Sequence, residues 1–198
     1  MIRLQDRLPD HVFVRGHRIR LNLDFRNVLK MLDILDDDTL MPEAKTYLAV
    51  RCLTRHVRYP EETLEAVKQL LFHPGKAAED ASRPKIMDYD QDAAMIRTAF
   101  RQEYGIDLFR DKLHYLEFVE LLHELPEGNR LMDVIGIRAR PMPEPTKYNA
   151  KEREWLLRAK AAHALHMSEK EQEKFYDQAV KNVFSGLMRM AEGGELHE

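Results

Sequence analysis

Residues 10–35 read DHVFVRGHRIRLNLDFRNVLKMLDIL, and the change of rhythm inside this stretch sets the fold class. Val12, Phe13 and Val14 form a short apolar run, and Arg15-Gly16-His17 supplies a turn in which Gly16 can take positive φ. Ile19, Leu21 and Leu23 then alternate with Arg18, Arg20 and Asn22, the period of a half-buried strand. After Asp24, a helix-capping residue type, Phe25, Val28, Leu29, Leu32 and Leu35 recur at helical spacing. A β-hairpin therefore runs straight into a helix. An isolated hairpin is marginal in water, so nearby helices are expected to cover its apolar face.

Helical spacing continues downstream. Asp36-Asp37-Asp38 ends the first helix against its dipole, and these aspartates are expected in an exposed loop. Pro42 suits the first turn of a second helix running to about Val57. Pro60 starts a third, with Leu64, Val67 and Leu71 inward and His73-Pro74-Gly75 as its stop. Residues 75–85 lack large apolar side chains and read as a loop. Asp88 or Asp90 opens a fourth helix, with Ile96, Ala99, Phe100 and Tyr104 in register and Gly105 as its C-terminal cap. A fifth, from about Asp111 to Leu125, is apolar around much of its girth and is the expected centre of the core. Asn129 caps a sixth, which carries Leu131, Val134 and Ile135.

Three prolines within residues 141–145 favour an extended connection. Beyond them, Asn149 with Glu152 and Ser168 with Glu171 read as capping boxes for a seventh and an eighth helix. In the eighth, Tyr176, Val180, Val183, Leu187 and Met190 form one apolar stripe with coiled-coil spacing, the candidate protein-interaction surface. The expected architecture is mainly α: an N-terminal β-hairpin and six helices over residues 1–140, a proline-containing linker over 141–149, and a C-terminal helical appendage over 150–198.

Composition narrows the function classes. The longest apolar runs are a few residues, far short of a membrane span, and MIRLQDRLPD has no apolar signal-peptide core. A single cysteine, Cys52, permits no intrachain disulfide and fits a reducing cytoplasm. The net charge of −3 divides into +3 over residues 1–60, −6 over 61–146 and zero over 147–198. No segment carries the positive excess of a general nucleic-acid binder.

Candidate chemical constellations each meet a plainer reading. Asp88, Asp90 and Asp92 resemble the opening of a calcium loop, but Ala93 and Ala99 stand where that loop needs glycine and glutamate. Helix-dipole partners are the better reading. Cys52 with His56, and His163 with His166, each offer two ligands where a structural zinc needs four. Glu117, Glu120 and Glu124, with His114 and His123 nearby, read as the solvated side of a core helix. Arg51, Arg55 and Arg58 form a basic stripe on the second helix, and Arg15, Arg18 and Arg20 cluster on the hairpin. Pairing of these arginines with the acidic middle third is preferred to nucleic-acid contact. No G-x-S-x-G, Walker A or dinucleotide fingerprint occurs. The expectation is a protein without catalytic, cofactor-binding or metal-ligating residues.

Three segments together carry a family resemblance: residues 8–35 with their hairpin and Asp-Phe-Arg helix start, residues 88–140 with Asp-x-x-x-Asp followed by Tyr-Gly-Ile-Asp-Leu and an aromatic-rich helix, and KYNAKEREWLLRAKAAHAL at 147–165. They resemble the bacteriophage "gene product fifteen" proteins of long-tailed phages and prophages. Family members usually carry tryptophan in the aromatic helix, where this chain has Tyr115 and Phe118, and the extension from Ser168 has no counterpart. The resemblance implies a role in making the phage tail, since genes of this family typically lie between those of the major tail protein and the tape measure protein. That is the place of tail assembly chaperones. The implied partners are the tape measure protein, other tail proteins and the chain itself, in the cytoplasm of an infected or lysogenic host. A structural virion protein, such as a tail completion or connector component, is the alternative, and a small nucleic-acid-binding regulator a more distant one. The resemblance brings no catalytic residues.

Overall fold

A computed structural model describes residues 5–72 and 85–166. Its elements are strands β1 (His11–Val14) and β2 (His17–Arg20) and helices α1 (Phe25–Asp36), α2 (Pro42–Leu53), α3 (Pro60–Leu71), α4 (Ala93–Tyr104), α5 (Tyr115–His123), α6 (Arg130–Ala139) and α7 (Ala150–Ala162). The protein is mainly helical with an N-terminal antiparallel hairpin. Backbone proximity divides the chain into two units, Met1–Glu144 and Pro145–Glu198.

The hairpin pairs Val12 with Ile19 and Val14 with His17. Its loop is only Arg15-Gly16, both at positive φ (48° and 78°), so His17 already belongs to the strand and is not part of the turn. Two residues at positive φ give the primed turn whose twist matches the strands. Glycine takes this conformation freely; Arg15 does so at a cost. Val12, Val14, Ile19, Leu21 and Leu23 face the core, as the alternation requires. Phe13, on the opposite face, stays 67% exposed.

Helices cover the apolar face of the hairpin. α3 packs on β1, α2 lies against α1 and α3, and α5 lies between α1 and α4. In α1 the fully buried positions are Val28 and Met31, while Leu29, Leu32 and Leu35 are only partly covered. The apolar stripe is therefore rotated from the expected Leu32 line toward Met31, whose unbranched side chain fills the centre. Phe118 of α5 is 1% exposed, and its ring stacks on Phe25 (4.7 Å) and Phe100 (5.2 Å). α5 is thus central, as expected, but it begins at Tyr115 instead of Asp111 because residues 107–111 form their own hydrogen-bonded turns.

The Asp-Phe-Arg start of α1 locks three parts of this unit together. The Asp24 carboxylate accepts the Arg26 amide as an N-cap. Its backbone neighbours form a short bridge to the start of α5, with Phe25 N–H on Leu113 O and Tyr115 N–H on Leu23 O. The Arg26 guanidinium donates to Leu108 O and Asp111 O, both at 2.7 Å. Asp24→Ala should therefore cost about 1–2 kcal/mol, the upper range for an N-cap, because it removes the cap and the carboxylate that orients Arg26. Chemical denaturation of the variant against wild type measures it.

Other helix ends also show their sequence signals. Asn129 caps α6 through Leu131 N–H, and Gly105 ends α4 at φ 69° with Ile106 N–H returning to Phe100 O. Three expectations need correction. α2 stops at Leu53, not Val57, because the Leu53 carbonyl accepts from Asn22 N–H (2.7 Å) and Thr54 turns extended. α4 starts at Ala93, since Asp88 takes the amides of Asp90 and Gln91 in a tight turn ahead of it. At α7, Asn149 spends its side-chain oxygen on Thr146 N–H and makes no side-chain cap bond to the helix. Asp36 is the last residue of α1, and Asp37, half-buried, accepts from the Thr39 amide and hydroxyl.

Candidate binding groove

The arginines that stood apart in sequence come together. β2 and its continuation, His17–Asn22, form one wall of a groove of about 980 Å³, and the end of α2 with the chain that follows it, Arg51–Arg58, forms the other. Arg55 and Arg58 are not on α2, which has already ended. They lie on the loop between α2 and α3, so the expected helical stripe is a loop wall. Arg18, Arg20, Arg51, Arg55 and Arg58 are all exposed and all line the groove, with His17 and His56 among them.

Their partners are few. Arg15, at the hairpin tip, bonds Glu62 in the first turn of α3. Glu62 is held below the usual carboxylate range by its own backbone amide and by Arg15. Arg18 lies 3.7 Å from Asp10, and Arg51 donates to Thr54 O. For Arg20, Arg55 and Arg58 no ion pair is present among the described residues. Among the described residues the expected pairing with the acidic middle third thus holds for Arg15 alone, and Asp92, for one, is taken by Arg138.

Two backbone positions brace the groove's rim. Arg15 and Tyr59 both sit at φ 48°, a conformation that costs non-glycine residues about 1 kcal/mol or more. The Arg15 guanidinium lies 4.6 Å over the Tyr59 ring, and His17 stacks on the same ring at 6.0 Å. These contacts tie the hairpin tip to the start of α3 and hold both strained residues in place.

The other sequence candidates resolve differently. The tyrosine, valine, leucine and methionine stripe at Tyr176–Met190 lies outside the described residues, as do residues 75–84 and Ser168 with Glu171. His114 caps α5 through Nδ1, which accepts Leu116 N–H, while Nε2 meets Pro9 O at 3.0 Å. Both ring nitrogens are engaged, and His114 serves the fold. Cys52 lines the groove half-buried, and burial raises its thiol above the ordinary range, so it stays protonated at neutral pH. Among the described residues no three His, Cys, Asp or Glu side chains converge as a metal site requires, and no helix is long and apolar enough to cross a membrane.

The three aspartates before α4 make a structural joint. Asp92, 1% exposed, takes two hydrogen bonds from Arg138 of α6 (2.6 and 2.9 Å) and one from Asp88 N–H (3.0 Å). Arg138 also donates to Ile86 O. No sequence signal joined Asp92 to a residue 46 positions away.

A family model described as Bacteriophage Gp15 protein matches residues 4–165. This chain belongs to that family. No curated protein and no solved structure matches it. The match ends just after α7, and it contains every groove residue named above. The Asp-Phe-Arg, Asp-x-x-x-Asp and Tyr-Gly-Ile-Asp-Leu segments that carry the Gp15 resemblance are the cap, the Asp92 joint and the helix stop. They build the scaffold, and the groove is a separate surface on it.

Proposed function

We propose that this Gp15 family member is a non-catalytic tail assembly chaperone that binds the tape measure protein in the host cytoplasm during long-tail morphogenesis. The observation that carries the reading is family membership over residues 4–165, joined to the usual place of such genes between the major tail protein and the tape measure protein. Surface chemistry supports it. Met41, just ahead of α2, and Tyr47 on α2 are 70% and 50% exposed, and Trp155 and Leu157 on α7 are 55% and 62% exposed. Side chains of this kind suit a protein that shields long apolar helices of varied sequence.

Co-expression with the tape measure protein of the same phage should keep that protein soluble and recover both chains in one complex. Mass spectrometry of purified virions should find the chaperone absent. Stoichiometric presence in the virion would replace this reading with a structural tail component. The arginine groove gives a nucleic-acid-binding regulator its one physical argument, and a DNA titration across salt concentrations separates it, since phosphate contacts weaken steeply with salt.

A further inference from the structure

The wall of the groove formed by β2 is a free strand edge. Leu21 N–H donates to Asp10 O, and the register pairs His11 with Arg20 and Val12 with Ile19. Hydrogen-bonded and non-bonded pairs alternate in an antiparallel ladder, so Val12–Ile19 is a bonded pair and His11–Arg20 and Phe13–Arg18 are not. The backbone N–H and C=O of Arg18 and Arg20 therefore point away from β1. Asn22, the next residue in that alternation, shows the direction: its N–H crosses to Leu53 O on the opposite wall. Arg18 and Arg20 have no such backbone partner among the described residues. Six consecutive residues, His17–Asn22, line the groove. A strand seen face-on would contribute only alternate residues, so the groove meets β2 along its edge.

We propose that this groove binds an extended, acidic segment of a partner protein, which adds as a third strand to the edge of β2 while its carboxylates meet the flanking arginines. The inference stands independently of the tail-assembly reading. From His17 to Leu21, short of the Asn22–Leu53 bond, the open edge runs roughly 13 Å at strand rise, enough for about four residues of extended peptide. Two amides and two carbonyls on that edge match the alternating groups of an incoming strand, the mode of recognition in which main-chain bonds give affinity and side chains give specificity. Arg20, Arg55 and Arg58 supply positive charge from both walls, and guanidinium groups bind carboxylates in a forked geometry.

Two other occupants fit less well. A nucleic-acid backbone would satisfy the arginines, but it would set phosphate oxygens against the outward carbonyls of Arg18 and Arg20. A second copy of this chain, pairing β2 edge to edge, would bring two sets of arginines face to face, and like charges on adjacent strands repel.

The test uses the full chain and a fluorescein-labelled eight-residue peptide of alternating threonine and glutamate, read by anisotropy. Binding is expected, with at least a tenfold loss in the R20Q/R55Q variant and most of the affinity kept in R20K/R55K. Both sites are exposed, so the thermal melt of either variant should match wild type. Two further peptides carry backbone N-methyl groups on one alternate set of residues or on the other. Strand addition predicts that one set abolishes binding and the other leaves it. Equal binding of both N-methylated peptides would overturn the strand geometry, and no binding of the parent peptide would overturn the proposal outright. Displacement of the peptide by a twelve-residue oligothymidylate at lower concentration than by unlabelled peptide would assign the groove to nucleic acid. A concentration-dependent dimer that R20Q/R55Q dissolves would assign it to self-pairing.

Discussion

Replacing Arg138 with alanine should lower the thermal unfolding midpoint by about 10 °C. Removing one partner of a buried ion pair costs about 3–5 kcal/mol, because the other charge stays buried and uncompensated, and each kcal/mol moves the midpoint of a chain this size by roughly 2–4 °C. The pair qualifies: Arg138 and Asp92 side chains are 10% and 1% exposed, and the bidentate contact joins α6 to the start of α4. The cost lies in the stranded charge more than in the pair itself. The D92N/R138M double variant should therefore recover a good part of the loss, since neither residue is then an unpaired ion. If R138A melts within 2 °C of wild type, water has reached Asp92 and the joint is not dry.

Acid should bring wild type and R138A closer in stability. Burial pushes Asp92 toward its neutral form, but the hydrogen bonds from Arg138 and the Asp88 amide outweigh it, and the carboxyl sits below the usual range. A depressed carboxyl stabilises the fold fully above its unfolded pKa of about 3.9 and loses that stabilisation as pH falls through the folded value. In R138A burial is no longer opposed by the guanidinium, so Asp92 moves upward and protonates more readily in the folded state. The stability gap between wild type and R138A should narrow as pH falls from 7 toward 4. Urea midpoints measured at several pH values follow it, and a gap that widens on acidification would contradict the assignment.

What the sequence revealed depends on how far apart the cooperating residues lie. The alternation of Ile19, Leu21 and Leu23, the caps at Asp24 and Asn129 and the glycine stop at Gly105 are decided within a few residues, and each stands in the structure as read. Errors came where a distant group intervened. α2 overran because nothing near Leu53 shows that Asn22 takes its carbonyl. The Asn149 side chain does not cap α7 because Thr146 N–H takes the same oxygen. For the groove, both arginine clusters were visible, but their meeting was not. Arg55 and Arg58 face β2 only because α2 ends early, so the error in the helix boundary concealed the site.

Phe118→Ala should cost about 4 kcal/mol, the upper range for deleting a buried aromatic ring, and a large share of the stability of a small domain. The ring is 1% exposed and is packed on two faces at once: Phe25 lies 4.7 Å away at 12° and Phe100 5.2 Å away at 21°, with Tyr89 near the rim at 6.1 Å. Its ring neighbours come from separate elements. Phe25 follows the Asp24 cap, Phe100 lies within α4, and Tyr89 precedes α4. The cavity left by alanine would be walled by rings held in separate elements, which cannot all close on it. Phe118→Leu keeps most of the apolar volume and removes the stacking, worth about 0.5–1.5 kcal/mol per aromatic pair, so it should cost about 2 kcal/mol. Phe118→Trp, although tryptophan is usual in this helix in the resembling family, should cost about 1–3 kcal/mol here by overpacking between two stacked rings. Guanidinium denaturation of the three variants gives the order: alanine worst, leucine and tryptophan between it and wild type. A tryptophan variant more stable than wild type would show that the cluster holds unfilled space beside Tyr89, and an alanine variant within 1 kcal/mol of wild type would remove Phe118 from the centre of the core.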